Sequence, residues 1–259
     1  MAKIPLTVVI LAKNEEAVIG ACCESIFGWV DEIIVVDDNS SDHTVNIVKR
    51  YTSRVYTQAM LNEGQHRNWA YALAQQDWVL SLDADEQVSE GLRDELCSGL
   101  FKSGSQKAWA IPIKTYIGDY WVRYAGWYPA SKIRLFDKNC FRYEEAEVHP
   151  RAFVDGPVGE LRQAIVHRGY PDFEHFLASL NRQTTLEARK WIRTGVNMPL
   201  GRAVRRTVDR FMRSYLRKRG YKDGFMGFMV AYFAALYQLM SYAKYWQIKR
   251  SQMDNIKKL

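Results

Sequence analysis

The sequence predicts an α/β fold: a mostly parallel sheet flanked by helices, followed by a helical C-terminal extension. Three observations carry this. Short apolar runs rich in β-branched residues alternate with segments of helical periodicity over about the first hundred residues, as buried parallel strands and their crossovers do. Polar clusters follow three of those runs, at the strand ends where open α/β sheets bind ligands. From Asp172 onward the chain reads as helix almost to its end, with breaks near 197–201 and 220–227.

The elements follow in order. Leu6 to Ala12 is a short apolar run that suits a buried strand, and Glu15 to Phe27 carries Val18, Ile19, Cys22 and Ile26 at helical spacing. Glu32 to Val36 is a second buried strand and Thr44 to Tyr51 a second helix. Arg54 to Thr57 reads as a third, short strand, and Gly64 to Gln76 places Trp69, Ala72 and Leu73 on one helical face. Trp78 to Leu82 is another buried strand and Gly91 to Phe101 another helix. Beyond it, Lys107 to Thr115 and Lys132 to Phe136 read as strands among Trp, Tyr and Gly residues that suggest loops and a cleft.

A chain of 259 residues has room for one large α/β domain, taken as 1–195, and a smaller basic and aromatic helical region, 196–259. The net charge of +7 is unevenly spread: nine Lys and Arg lie between Arg202 and Lys222 against one acid, Asp209. Such a stripe expects an anionic partner. Four cysteines show no paired Cys-x-x-Cys spacing, which argues against a structural zinc site and suits a reducing cytosol. The N-terminus runs straight into a strand pattern without the layout of a signal peptide.

The chemistry is sought at the three strand ends: Lys13-Asn14-Glu15-Glu16, Asp37-Asp38-Asn39-Ser40-Ser41-Asp42 and Asp83-Ala84-Asp85-Glu86. One acidic strand end means little, since Asp and Ser also cap helices, and Ser41 or Asp42 is expected to do so. Three on one edge crowd their carboxylates, so cations or hydrogen bonds must offset the repulsion. Asp83-x-Asp85 after a buried strand can approach one hard divalent cation, Mg2+ or Mn2+, which bridges a diphosphate and stabilises it as a leaving group.

These runs together, Val8 to Glu16, Ile34 to Thr44 and Trp78 to Glu86, resemble the family 2 glycosyltransferases of the GT-A fold. Gln65-His66-Arg67-Asn68, Gly126-Trp127-Tyr128-Pro129, Arg134-Leu135-Phe136, Val148-His149 and Asp155 to Gly159 are similar to the bacterial subgroup that builds lipopolysaccharide inner core, with β-1,4-glucosyl transfer to heptose as its type. The resemblance implies an inverting enzyme that moves a sugar, glucose foremost, from a UDP-sugar to a lipopolysaccharide-core or other lipid-linked saccharide. It places Ala12, Asn14, Glu15, Asp37, Asp38, Gln65, Arg67, Asn68 and Asp83 around the nucleotide-sugar. It assigns the metal to Asp85, with Asp83 and His167 as further candidates; the competing view of His167 is a partly buried, hydrogen-bonded imidazole. Trp127, Tyr128, Arg134 and His149 are expected near the acceptor.

One departure matters. In the subgroup the Val-His pair is usually followed by Glu, whereas here the next residue is Pro150. The acidic run Glu144, Glu145 and Glu147 is the substitute source of a general base, with Glu145 preferred because an acid is often found at its position; a solvated acidic loop is the alternative.

The tail completes the expectation. Phe225 to Ala243 is uncharged over 19 residues, and with its tyrosines and the flanking Lys244, Lys249 and Arg250 it suits an interfacial helix on an anionic leaflet. A peripheral enzyme on the inner face of the cytoplasmic membrane follows, a purely intramolecular helical cap being the alternative. Two other function classes compete. A nucleic-acid-binding protein is disfavoured because the α/β half is acidic at its strand ends, so no nucleic-acid partner is expected. A sugar-phosphate nucleotidyltransferase would carry a Gly-rich basic phosphate loop after the first strand, which Ala12-Lys13-Asn14-Glu15 is not.

Overall fold

In the computed structural model, which describes residues 3–102, 104–145 and 150–256 (the last four as backbone), each apolar run of the first hundred residues becomes a strand. The first elements are β1 (Ile4–Ala12), α1 (Ile19–Ile26), β2 (Val30–Asp37), α2 (Thr44–Val48), β3 (Val55–Thr57), α3 (Glu63–Ala72), β4 (Trp78–Asp83), β5 (Glu86–Val88) and α4 (Glu90–Cys97). Then come β6 (Ala108–Ile111), β7 (Ile113–Ile117), β8 (Tyr120–Trp121), β9 (Lys132–Asp137), β10 (Phe141–Tyr143), β11 (Ala152–Val154), β12 (Val158–Glu160) and β13 (Ile165–Tyr170). Three helices close the chain: α5 (Phe173–Arg193), α6 (Leu200–Met212) and α7 (Gly224–Ile256).

Two differences from the sequence expectation have local causes. The strand expected over 107–115 is split at Pro112, which has no N–H to give a ladder. The helix expected from Glu15 begins at Ile19, because residues 15–18 form a turn in which Glu15 O accepts from the N–H groups of Val18 and Ile19 while Val18, at φ −125°, lies outside the helical range.

The chain divides into two compact units, Met1–Lys114 with Ala130–Gly169, and Thr115–Pro129 with Tyr170–Leu259. The sequence put the division at 195/196. It falls earlier because α5 belongs with the helices after it: Phe176 packs with Val230 and Phe233, and Ala188 and Trp191 with Ala203 and Tyr245.

The first unit holds a seven-stranded sheet in the order β12-β6-β9-β4-β1-β2-β3. β1 lies parallel to β2 and β4, and β9 runs antiparallel to β4 and β6. Successive β1 residues face opposite sides, as the strand repeat of two requires. Val8 and Ile10 join Ile19, Cys22, Ile26 and Leu92 on one side, while Val9 joins Ala70, Tyr71 and Phe136 on the other. The register sets Leu11 beside Asp83 and Ala12 beside Asp37, so β1, β2 and β4 end level. That alignment gathers the polar clusters on one edge. β13 pairs antiparallel with β5, opposing His167 to Glu86.

The second unit is mostly helical. α7, 33 residues long, is by length and composition alone apolar enough to cross a membrane. Its Val230, Ala231, Phe233 and Tyr245 are buried against protein. Asp223 before it is buried and accepts from the backbone N–H groups of Arg123 and Tyr124 at 3.0 and 2.8 Å, fixing that loop to the start of α7.

Candidate active site

The β1–α1 and β2–α2 loops are zipped to one another. Asn14 sits at φ 54° and Asn39 at φ 55°, the left-handed region that Asn tolerates better than most residues. The Asn14 N–H donates to Ser40 Oγ at 2.8 Å, and Asn14 Oδ1 accepts from the Ser41 N–H at 2.8 Å. Asp37 accepts from the Ser40 N–H through Oδ2, while its buried Oδ1 has no hydrogen-bond partner among the described residues. Asp38 is held by Lys13 Nζ at 2.8 Å and by the Met60 N–H at 2.9 Å. Burial pushes its carboxyl up, but the bonds from Lys13 and the Met60 N–H, with the charge of Lys13, together hold it below the usual range. Ala12 is buried between these ends. Asp42 Oδ1 accepts from the Thr44 N–H at the start of α2, but the N-cap position is His43, so neither Ser41 nor Asp42 is the cap expected.

The cations that the crowded carboxylates demanded are Arg67, from α3, and Arg134, from β9. Asp83 Oδ1 accepts from Arg67 at 3.1 Å and Oδ2 from Arg134 at 2.5 Å. Arg134 also donates to Glu86 Oε1 at 2.6 Å, and Glu86 Oε2 accepts from the Asp83 N–H at 2.9 Å. Burial would raise the Asp83 carboxyl, but the two guanidinium groups hold it far below the usual carboxylate range. Burial lifts Glu86 above its ordinary value despite Arg134. Arg67 is further braced by Glu63 at 3.1 Å and lies over the Tyr143 ring at 5.8 Å.

Two expectations change here. Arg134, expected to face an acceptor, is 3% exposed and sits under Asp83. Asp83, expected to share the metal, has both oxygens engaged by arginine. The donor atoms that do converge are Asp85 Oδ2 and His167 Nε2, 3.0 Å apart on side chains about a quarter exposed (25% and 22%). Burial would lower the His167 imidazole, but the Asp85 carboxylate lifts it above the ordinary histidine value. A Cβ built on Gly169 would collide with both of these atoms, so glycine at that position keeps the space beside them open. Among the described residues no group of three His, Cys, Asp or Glu could hold a metal alone. A carboxylate and an imidazole fit an ion that takes its remaining ligands from phosphate and water.

Asn68 has both ends of its amide bonded to the Tyr143 main chain, at 3.0 and 2.8 Å, so it clamps β10. Gln65 donates to Glu145 Oε2 at 2.9 Å, and Glu145 is exposed. Glu144 is bound by Arg151 at 3.0 and 2.9 Å, and those bonds hold its carboxyl below the usual range. Glu147 and His149 lie outside the described residues. Trp127 and Tyr128 belong to the second unit, where Trp127 packs with Tyr170 and Phe176, and Tyr128 edges onto Trp121.

Sequence reasoning placed Lys13 and Glu86 in the polar clusters of this edge without giving either a role, and missed Tyr143 and Gly169 as parts of it. Gly169 had a signal, a glycine inside a strand two residues after His167. Glu86 stood in the acidic cluster but carried no sign of its burial.

Comparison with known proteins identifies the family. The lipopolysaccharide core biosynthesis glycosyltransferase LpsC of Rhizobium meliloti (strain 1021) is 27% identical over 252 residues, covering 95% of this chain and 93% of that protein. An uncharacterized glycosyltransferase, RT0209, of Rickettsia typhi is 28% identical over 91% of this chain and 84% of its own. Among solved structures, S. aureus TarS 1–349 with UDP-GlcNAc superposes at a TM-score of 0.48 with 14% identity, covering 97% of this chain and 92% of that one, a likeness too slight to carry an argument. The family model described as Glycosyl transferase family 2 matches residues 7–152, more than half of the 259. With the level strand ends and the Asp-x-Asp of β4 inside that match, the chain belongs to glycosyl transferase family 2 and has its GT-A α/β fold.

Proposed function

We propose that the protein is an inverting, divalent-metal-dependent glycosyltransferase that moves a sugar, glucose foremost, from a UDP-sugar to a lipopolysaccharide-core or other lipid-linked saccharide. One observation carries it: two residues apart, Asp83 is immobilised by two arginines while Asp85 is left to pair with His167. The first is suited to a fixed hydrogen-bonding task on ribose or sugar, the second to an ion. Asp85 and His167 would hold Mg2+ or Mn2+, which when bound supplies charge neutralisation to the departing diphosphate. Asp37, with one buried oxygen unmatched, and Asp38 are proposed to meet the uracil or ribose, beside Ala12, Asn14 and Glu15. The family sets the nucleotidyltransferase alternative aside, and the similarity to LpsC supports the class of acceptor.

Glu145 is the proposed base. Glu144 is neutralised by Arg151, whereas Glu145 is oriented by Gln65, on the same helix as the Arg67 that grips Asp83. In the proposed step Glu145 takes the acceptor hydroxyl proton and that oxygen bonds to the anomeric carbon. The bond from that carbon to the diphosphate oxygen breaks on the opposite face, releasing UDP. The acceptor places the enzyme at the cytoplasmic face of the membrane, as a peripheral protein on an anionic surface.

The test is UDP release from a panel of UDP-sugars with heptose-bearing lipid A as acceptor. Asp85→Ala is expected to abolish turnover, and full activity in EDTA would refute metal dependence. Glu145→Gln is expected to cut kcat by roughly 10²–10⁴ with UDP affinity nearly unchanged. An α-linked product from an α-linked donor would exclude inversion.

A further inference from the structure

The second unit carries more apolar surface on its outside than its own packing uses. On α6, Leu200, Val204, Val208 and Met212 recur every four residues and are 45–57% exposed. A four-residue step drifts about 40° round an α-helix, so a long row of this kind would wander off its face. Over α6 itself the row does drift, by about 120° from Leu200 to Met212; Arg213–Arg217 then forms a π-turn, closed by the Lys218 N–H donating to Arg213 O at 2.8 Å. The wider turn reverses the drift and brings Leu216, 47% exposed, back into the row. On α7, Phe225, Phe228, Tyr232, Leu239 and Trp246 are 41–73% exposed. Their spacing keeps them within about 60° of one another. Phe228 of this row packs against Phe211 of α6 and Tyr215 of the π-turn, ring centroids 6.0 and 6.1 Å apart.

Cations border this face. Arg202 and Arg205 on α6, and Arg213 and Arg217 on the π-turn that follows it, are exposed. Asp209, bound to Arg213, is the one acid between Arg202 and Lys222. Arg250 lies over the Trp246 ring at 5.3 Å.

We infer that this face seats on an anionic lipid bilayer, with α6 and α7 lying along the surface. The apolar rows enter the headgroup boundary and the arginines meet lipid phosphates. A second copy of the chain is a poorer occupant, since two-fold pairing of the face would bring arginine flanks of like charge together. Spanning fits poorly too, because it would turn the buried Val230, Ala231 and Phe233 of α7 out to lipid. The inference deepens the membrane-surface part of the proposed function by naming the face that makes contact. It does not depend on which sugar is moved.

The experiment is co-sedimentation of the full chain with phosphatidylcholine vesicles, with and without phosphatidylglycerol. Anionic vesicles are expected to bind about tenfold or more tightly than neutral ones, and added salt to reverse the difference. The variants Val208→Asp/Met212→Asp and Arg205→Glu/Arg217→Glu are each expected to lose about tenfold or more of that binding, with melting temperature held. Binding unchanged in both variants overturns the inference. So does retention through an alkaline carbonate wash, which marks a spanning helix, or a dimer that Val208→Asp/Met212→Asp dissolves. Should a variant melt early, brominated lipid provides an independent measure: it should quench the parent's fluorescence by a larger fraction than that of Trp246→Phe, and equal quenching overturns the inference. Vesicle binding without UDP release from any donor would leave docking standing and defeat the enzymatic reading instead.

Discussion

The two units handle charge in opposite ways. At the strand-end edge of the first, every central ion has a partner at hydrogen-bond distance: Asp83 with Arg67 and Arg134, Glu86 with Arg134, Asp38 with Lys13. On α6 and the π-turn of the second, exposed arginines crowd together with a single acid among them. Paired, buried charges interact strongly at short range and fix geometry, at the cost of desolvation. Exposed charges of one sign fix nothing locally but set up a field that reaches about 8 Å at physiological salt. The first arrangement suits the grip on one substrate in one orientation, the second an extended partner met in many.

The sharpest way to break the comparison is Arg134→Gln. It leaves Asp83 and Glu86 facing each other without their shared cation, and is expected to destabilise the first unit by about 3–5 kcal/mol in chemical denaturation. Stability equal to the parent would mean these carboxylates need no pairing. Next in size is Gly169→Ala, which places a methyl against Asp85 and His167. Calorimetric titration should find Mn2+ affinity down about 10–100-fold, the range for disturbed ligand surroundings; unchanged affinity would locate the ion elsewhere. The smallest effect belongs to Asp172, the exposed N-cap of α5, whose Oδ1 accepts from the His175 N–H at 2.8 Å. Asp172→Ala should lower the melting temperature slightly. Those bonds hold the Asp172 carboxyl below its usual value, so its contribution is present above roughly pH 3.9 and is lost as pH falls through the lower folded value. Parent and variant melting curves should therefore converge in acid. A gap that persists there would show that the surface charge is not what stabilises this cap.

Legibility in the sequence followed the range of the interaction. β1, β2, β4 and the acidic ends after them could be read because strand periodicity and strand-end placement are local properties. Repulsion among those acids predicted that cations must come, but not from where: Arg67 and Arg134 lie 16 and 51 residues from Asp83. Arg134 was misplaced for this reason, since nothing in Lys132 to Phe136 distinguishes an arginine turned inward from one facing a ligand. Three-residue strands such as β10, β11 and β12 are too short to show a period. The division of the chain was misjudged because α5 is amphipathic on either assignment, and its partners on α6 and α7 lie far along the sequence.

The Asn68 clamp has a dynamic consequence. β10 and β11 form a two-stranded hairpin with three residue pairs, a unit marginal by itself, and Glu144 and Glu145 follow directly on β10. Its attachment to α3 includes the Asn68 amide and the rings of Tyr143 and Phe141, which lie 6.3 and 6.1 Å from Tyr71. The hairpin should therefore behave as a separate cooperative unit in native-state hydrogen exchange, its amides opening at lower free energy than those of β1 and β4. Such an opening would carry the proposed base away while Arg67 and Arg134 kept their hold on Asp83. In the proposed function, that would let one saccharide be exchanged for the next while the proposed nucleotide contact at Asp83 is kept.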